Sequence, residues 1–197
     1  MTRQHHRPMK PGDRFFDDLL GGTDPALVSE AADRAATLLV RGARDSGDSA
    51  VAERLLRLAD TEGIETIAEL WAGAPADSLA GCLWRLFVLR AWVYADPVSA
   101  AHEFEEGRGR AQVARVVAGV AEPPGPDELK AMVDQVLTGI AAGDFADVLF
   151  RAAAFARVVA AGRAGRPGSD DADVRRMLLV SEQLEAAGHL ELEHRLA

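Results

Sequence analysis

The stretch Leu79–Ala95, LAGCLWRLFVLRAWVYA, decides the fold class. It has helical length and no continuous polar face, and Ser78 stands at its start with Asp96-Pro97 at its end. A helix that is apolar all round belongs in a large core, a membrane or an interface. This one is shorter than the roughly 18–20 residues of a membrane span and carries Arg85 and Arg90, so a span is excluded. At about 100° per residue, Arg90 falls among Leu79, Leu83, Leu86 and Tyr94, and Arg85 lies about 140° away beside Gly81, Leu89 and Trp92. An arginine on an apolar face needs a carboxylate or a ligand. The guanidinium of Arg85 is placed to lie over Trp92.

Outward from this stretch the chain is punctuated as helices. Asp24-Pro25 and Asp96-Pro97 each read as an N-cap followed by proline at the first helical position. Asp48-Ser49, Asp77-Ser78, Asp127, Asp144 and Asp171 precede further apolar-periodic runs, and Gly42, Gly63, Gly73, Gly107, Gly143, Gly162 and Gly188 stand where helices should stop. The spacing predicts helices over about 25–41, 49–62, 64–72, 79–95, 97–106, 110–121, 127–142, 145–161 and 172–187. The clearest stripe is Leu129, Met132, Val133, Val136, Leu137 and Ile140; Val113, Val116, Val117 and Val120 repeat it one helix earlier. No alternating β-branched segment reads as a strand. The expectation is an all-α, single multi-helix bundle of about eight to nine helices around a buried central helix, 79–95. Residues 1–23 read as an irregular basic tail and 24–163 as the helical core domain. Residues 164–197 read as a flexible loop plus a C-terminal helix that packs on the core or on a partner subunit.

The 197 residues are 48% hydrophobic, enough for a real core, with a net charge of −9. Residues 1–14 hold Arg3, Arg7, Lys10 and Arg14 against Asp13, so the remainder is more acidic still. An acidic body repels phosphate backbones, which argues against nucleic acid as a partner. The N-terminus MTRQHHRPMKPGDRFF lacks the apolar run of a signal peptide. Cys82 is the single cysteine and can form no intramolecular disulfide, which fits a reducing cytoplasm. The near absence of lysine, together with abundant Ala, Gly and Val, suggests a GC-rich bacterial coding sequence.

Catalytic constellations do not emerge. His102 and Glu106, in HEFEE, have acceptable metal-ligand spacing but lack the second histidine of a zinc protease helix; an exposed acidic face explains them as well. Glu191-x-x-His194 matches the helical Glu-x-x-His element of di-iron bundles, but such sites need two of these elements plus two more glutamates, and the sequence offers one. Cys82 sits among leucines with no histidine near in sequence, which describes a core thiol rather than a nucleophile. GRGR at 107–110 lacks the strand–turn–helix setting of a phosphate loop. No cofactor is implied.

The runs DRFFDDLLGGTDPALV at 13–28, LWRLFVLRAWV at 83–93 and VAGVAEPPGPDEL at 117–129 resemble an actinobacterial all-helical protein family with no established activity. The resemblance implies a source and no catalytic residues. The residues favour a non-catalytic cytoplasmic module for protein interaction or regulation, expected as a homodimer. The alternative is a sensor or carrier of a small anionic ligand, with a pocket between helices lined by Arg85, Arg90, Trp92 and Tyr94.

Overall fold

The structure, a computed structural model, describes residues 25–42, 71–111, 125–142 and 144–196. These hold six α-helices and no strand: α1 (Pro25–Thr37, continued by a π-helical turn, Leu38–Gly42), α2 (Leu79–Ala95), α3 (Pro97–Arg108), α4 (Pro126–Ala142), α5 (Phe145–Ala164) and α6 (Asp171–Leu192). The expected helices 49–62, 64–72 and 110–121 lie outside the described residues except at their margins, as do the tail 1–23 and the stripe Val113 to Val120.

Caps set the starts. Ser78 accepts from Gly81 N at 3.1 Å, Asp96 from Ser99 N at 3.0 Å, Asp144 from Asp147 N at 3.0 Å and Asp170 from Ala172 N at 2.8 Å. Each supplies an acceptor to an N–H that the helix itself leaves unpaired. Asp170 therefore caps α6, one residue before the expected Asp171, and α4 begins at Pro126 rather than Asp127.

The ends differ more from expectation. α5 runs to Ala164 and α6 runs through Gly188 to Leu192. Gly107, Gly162 and Gly188 are inside helices and do not stop them. They are glycines because another element touches the backbone there. A methyl group on Gly162 would overlap the Glu103 carbonyl, and one on Gly107 would overlap the Val158 carbonyl, so α3 and α5 cross in backbone contact. At Gly188 a Cβ would sit 2.9 Å from the Phe150 ring.

The most enclosed of the described helices is α5, with thirteen of its twenty residues buried against eight of seventeen in α2. Six of those buried residues are alanines, Ala146, Ala152, Ala153, Ala154, Ala156 and Ala160, which let neighbours approach closely. α6 packs along it through Met177, Ser181, Leu184, Ala187, Gly188 and Glu191, a single stripe of helical period. The C-terminal helix thus packs on the core of its own chain. Leu149 and Leu184 are fully buried in the core cluster, each worth about 1.5–3 kcal/mol. α2 touches all five other helices, with Leu83, Leu86 and Val93 in the core. Trp71 donates Nε1–H to the Ala32 carbonyl at 3.0 Å and stacks on Phe87. Arg41 of the π-helical turn forks onto buried Glu191 and reaches the Leu196 carbonyl, fastening the first described element to the last.

Candidate functional site

The two arginines of α2 find partners within the chain. Arg90 Nε donates to Asp134 Oδ1 of α4 at 2.8 Å, and Tyr94 Oη donates to Asp134 Oδ2 at 2.5 Å. The Arg90 guanidinium lies 4.2 Å from the Tyr94 ring centroid. Burial, with the Asp134 bond behind it, raises the Tyr94 pKa above its ordinary value. Arg85 Nε donates to Gln183 Oε1 and its Nη1 to the Gly81 carbonyl, both at 2.7 Å. Burial lowers the Arg85 pKa, and no carboxylate lies within ion-pair distance of it among the described residues. The guanidinium over Trp92 is that of Arg163, at 5.1 Å, and not that of Arg85.

Trp92 leads to a different place. Between α2, the 165–170 loop and the first turns of α6 runs a groove of about 750 Å³, open to solvent on one side. Val88, Leu89 and Trp92 form one wall and Met177, Leu179 and Val180 the other. Val88 and Leu179 stand 37% and 51% exposed at its rim. The polar end is built by Arg163, Arg166 and Arg176 with Glu103, Asp170 and Asp173. Of the four ligand residues expected from sequence, only Trp92 lines this groove; Arg85, Arg90 and Tyr94 lie outside it.

Glu103 organises the polar end. It is buried on α3, 6% exposed, directly beneath the Gly162 crossing. Its Oε2 accepts from Arg163 Nε at 3.0 Å and from Nη2 at 2.8 Å, and its Oε1 accepts from Arg166 Nη1 at 3.0 Å. One carboxylate therefore orients two guanidiniums, three residues apart at the end of α5 and in the loop beyond it. Arg176 pairs with Asp173 one turn away on α6. Gly168, at φ 80°, adopts the left-handed backbone that turns the loop toward α6.

The HEFEE helix is thus not uniformly an exposed acidic face. His102, Glu105 and Glu106 are exposed, while Glu103 points inward. Among the described residues no three His, Cys, Asp or Glu side chains come together as a metal site. Glu191 is held by Arg41, and His194 lies beyond the end of α6 with φ 56°, so the two share no helical face. Cys82 is fully buried, its thiol 3.6 Å from the Ala76 carbonyl and its pKa pushed up to about 12 by burial. None of the described helices is long and apolar enough to cross a membrane.

Sequence reasoning missed Arg163, Arg166, Arg176 and Glu103. The available signal was the pair of arginines three apart in GRAGRPG, read as a flexible loop. No protein-family model matches the chain, and no curated protein and no solved structure is significantly similar to it.

Proposed function

We propose that the protein is a non-catalytic binding module whose ligand is an apolar body carrying an anionic head, held in the groove between α2 and α6. The observation that carries this reading is that one 750 Å³ groove is lined both by apolar side chains, Val88, Trp92, Met177 and Leu179 among them, and by three arginines. That volume lies in the range of small-molecule sites, about 300–1,000 Å³, and apolar walls with few convergent polar groups are their usual composition. Trp92 belongs to the α2 wall, its ring already under one guanidinium. Within this proposal the protein is cytoplasmic, of actinobacterial source, and a bundle of eight to nine helices in which 79–95 is central. The contact of α2 with all the other described helices supports that last point.

A calorimetric titration with decanoate below its micellar range, repeated with Leu179→Glu, tests the reading. Saturable one-to-one binding, quenching or shifting Trp92 emission and lost in the variant, is the expected result. Absence of saturable binding, or binding indifferent to Leu179→Glu, overturns it.

The exposed rim residues Val88 and Leu179 favour a second reading, in which the same face meets a protein partner or a second copy of the chain. Light scattering decides for the homodimer: a mass of two chains that reverts to one in Leu179→Glu supports it. A single-chain mass at tens of micromolar removes it.

A further inference from the structure

We propose that Arg166 is the residue that reads the ligand head group, through a guanidinium edge that no described residue occupies and that suits a monocarboxylate over a phosphate dianion. The proposal rests on the groove reading above and names the chemistry of its ligand.

The donors left over at the two guanidiniums distinguish them. Glu103 takes both Nε and Nη2 of Arg163, which is the side-on edge of that guanidinium, and Trp92 lies against its face. Arg163 is therefore engaged on an edge and a face. Arg166 gives Glu103 only Nη1. Its Nε and Nη2 make no hydrogen bond among the described residues, and the side chain is 41% exposed at the groove. These two N–H groups are parallel and form the fork that matches the two oxygens of a carboxylate. Nη1, held on a buried carboxylate, biases the orientation of that edge before a ligand arrives.

Charge then selects among anions. The three arginines of the polar end face three carboxylates, Glu103, Asp170 and Asp173. Each carboxylate is already committed, to Arg163 and Arg166, to the α6 cap and to Arg176 respectively. Asp96, whose carboxyl feels Arg166 and is held by Ser99 N–H, adds another fixed negative charge nearby. The lining of the groove is balanced in charge, so the fork's hydrogen bonds hold the first ligand charge, and no surplus positive charge among the described lining residues meets a second. One unit of charge about 6 Å away across a water-exposed mouth changes affinity about threefold.

The test is a calorimetric comparison of decanoate, decyl phosphate and decan-1-ol at pH 8, where the phosphate monoester is close to a dianion. Native protein should bind decanoate at least about threefold tighter than decyl phosphate. Arg166→Lys keeps the charge, removes the fork, and should weaken decanoate about tenfold. Asp173→Asn removes one exposed negative charge and should shift the preference about threefold toward phosphate. Decyl phosphate binding as tightly as decanoate to the native protein, or decanoate affinity unchanged in Arg166→Lys, overturns the assignment while leaving the groove as a binding site. Decanol binding as tightly as decanoate removes any role for the arginine end. Binding of none of the three overturns the groove reading and this proposal with it.

Discussion

Replacing Glu103 with glutamine tests whether one buried carboxylate holds the α3–α5–loop junction. Its side chain is 8% exposed, and it faces Arg163 at 14% and Arg166 at 41%. The variant keeps the shape but removes the charge, and it turns an amide N–H₂ toward two guanidiniums. Removing one partner of a fully buried pair costs about 3–5 kcal/mol, because the remaining charge is left without compensation. Arg163 is close to that limit. Arg166 is not, since water reaches its head and an exposed pair contributes about 0–1 kcal/mol. The expected loss is therefore about 2–4 kcal/mol, nearly all of it from stranding Arg163. In urea unfolding followed by circular dichroism at 222 nm, a slope of about 2 kcal/mol/M turns this into a midpoint lower by about 1–2 M. Arg166→Ala should cost less than about 1 kcal/mol in the same assay. A loss below about 0.5 kcal/mol for Glu103→Gln, or an equal loss for Arg166→Ala, would refute the assignment of the junction to the Glu103–Arg163 pair.

Three further outcomes are expected. Gly162→Ala forces a methyl into the Glu103 carbonyl and should cost about 3 kcal/mol or more, whereas Gly188→Ala meets only a ring that can shift and should cost about 1–2 kcal/mol; thermal melts giving the reverse order would show that the α3–α5 crossing can relax. Cys82 in the native state should react with iodoacetamide at pH 8 roughly three orders of magnitude more slowly than a free thiol, since burial pushes its pKa up to about 12 and depletes the thiolate; alkylation at a free-thiol rate without unfolding contradicts the burial. Asp96 has its pKa lowered chiefly by the Ser99 backbone N–H, so its charged form is favoured by folding. Its contribution is present above about pH 4 and is lost as pH falls below that. The stability difference between the native chain and Asp96→Asn should hold from pH 7 to 5 and shrink below 4, and a difference that grows on acidification contradicts the cap.

How far the sequence could be read depends on the range of the interaction. Caps are local, and Asp96-Pro97, Asp144 and Ser78 marked helix starts within a residue because the acceptor and the N–H it serves are at most three positions apart. Glycine is ambiguous at the same range. Gly73 follows Trp71 in a turn, while Gly107, Gly162 and Gly188 serve contacts made by residues far away in the chain. A sequence window sees the missing side chain in both cases and not the neighbour that requires it. The same limit explains α5, whose alanines give it modest hydrophobicity although it is the most enclosed helix described. In α2, by contrast, Val88 and Trp92 are apolar although they line the groove and are not fully buried. Arg85 and Arg90 drew attention because their surroundings in sequence are apolar. Arg163, Arg166 and Glu103 did not, because sixty residues separate the carboxylate from the first guanidinium it holds.

The groove is a consequence of the packing and not an addition to it. Gly107 and Gly162 let α3 and α5 cross at backbone distance, and this places Glu103 under the last turn of α5. A side chain so placed reaches Arg163 in the last turn of α5 and Arg166 in the loop just beyond it. The helix cannot continue through Gly165-Arg166-Pro167-Gly168, because proline removes a donor and the left-handed Gly168 reverses the chain. α6 therefore restarts at its Asp170 cap beside α5 instead of extending it, and the gap left between its first turns and α2 is the groove. If this order of causes holds, enlarging Gly162 disturbs the arginine end before it disturbs the apolar walls. In Gly162→Ala the affinity for decanoate should fall while that for decan-1-ol is retained. Equal loss of both would show instead that the groove depends on the α2–α6 packing and not on the α3–α5 crossing.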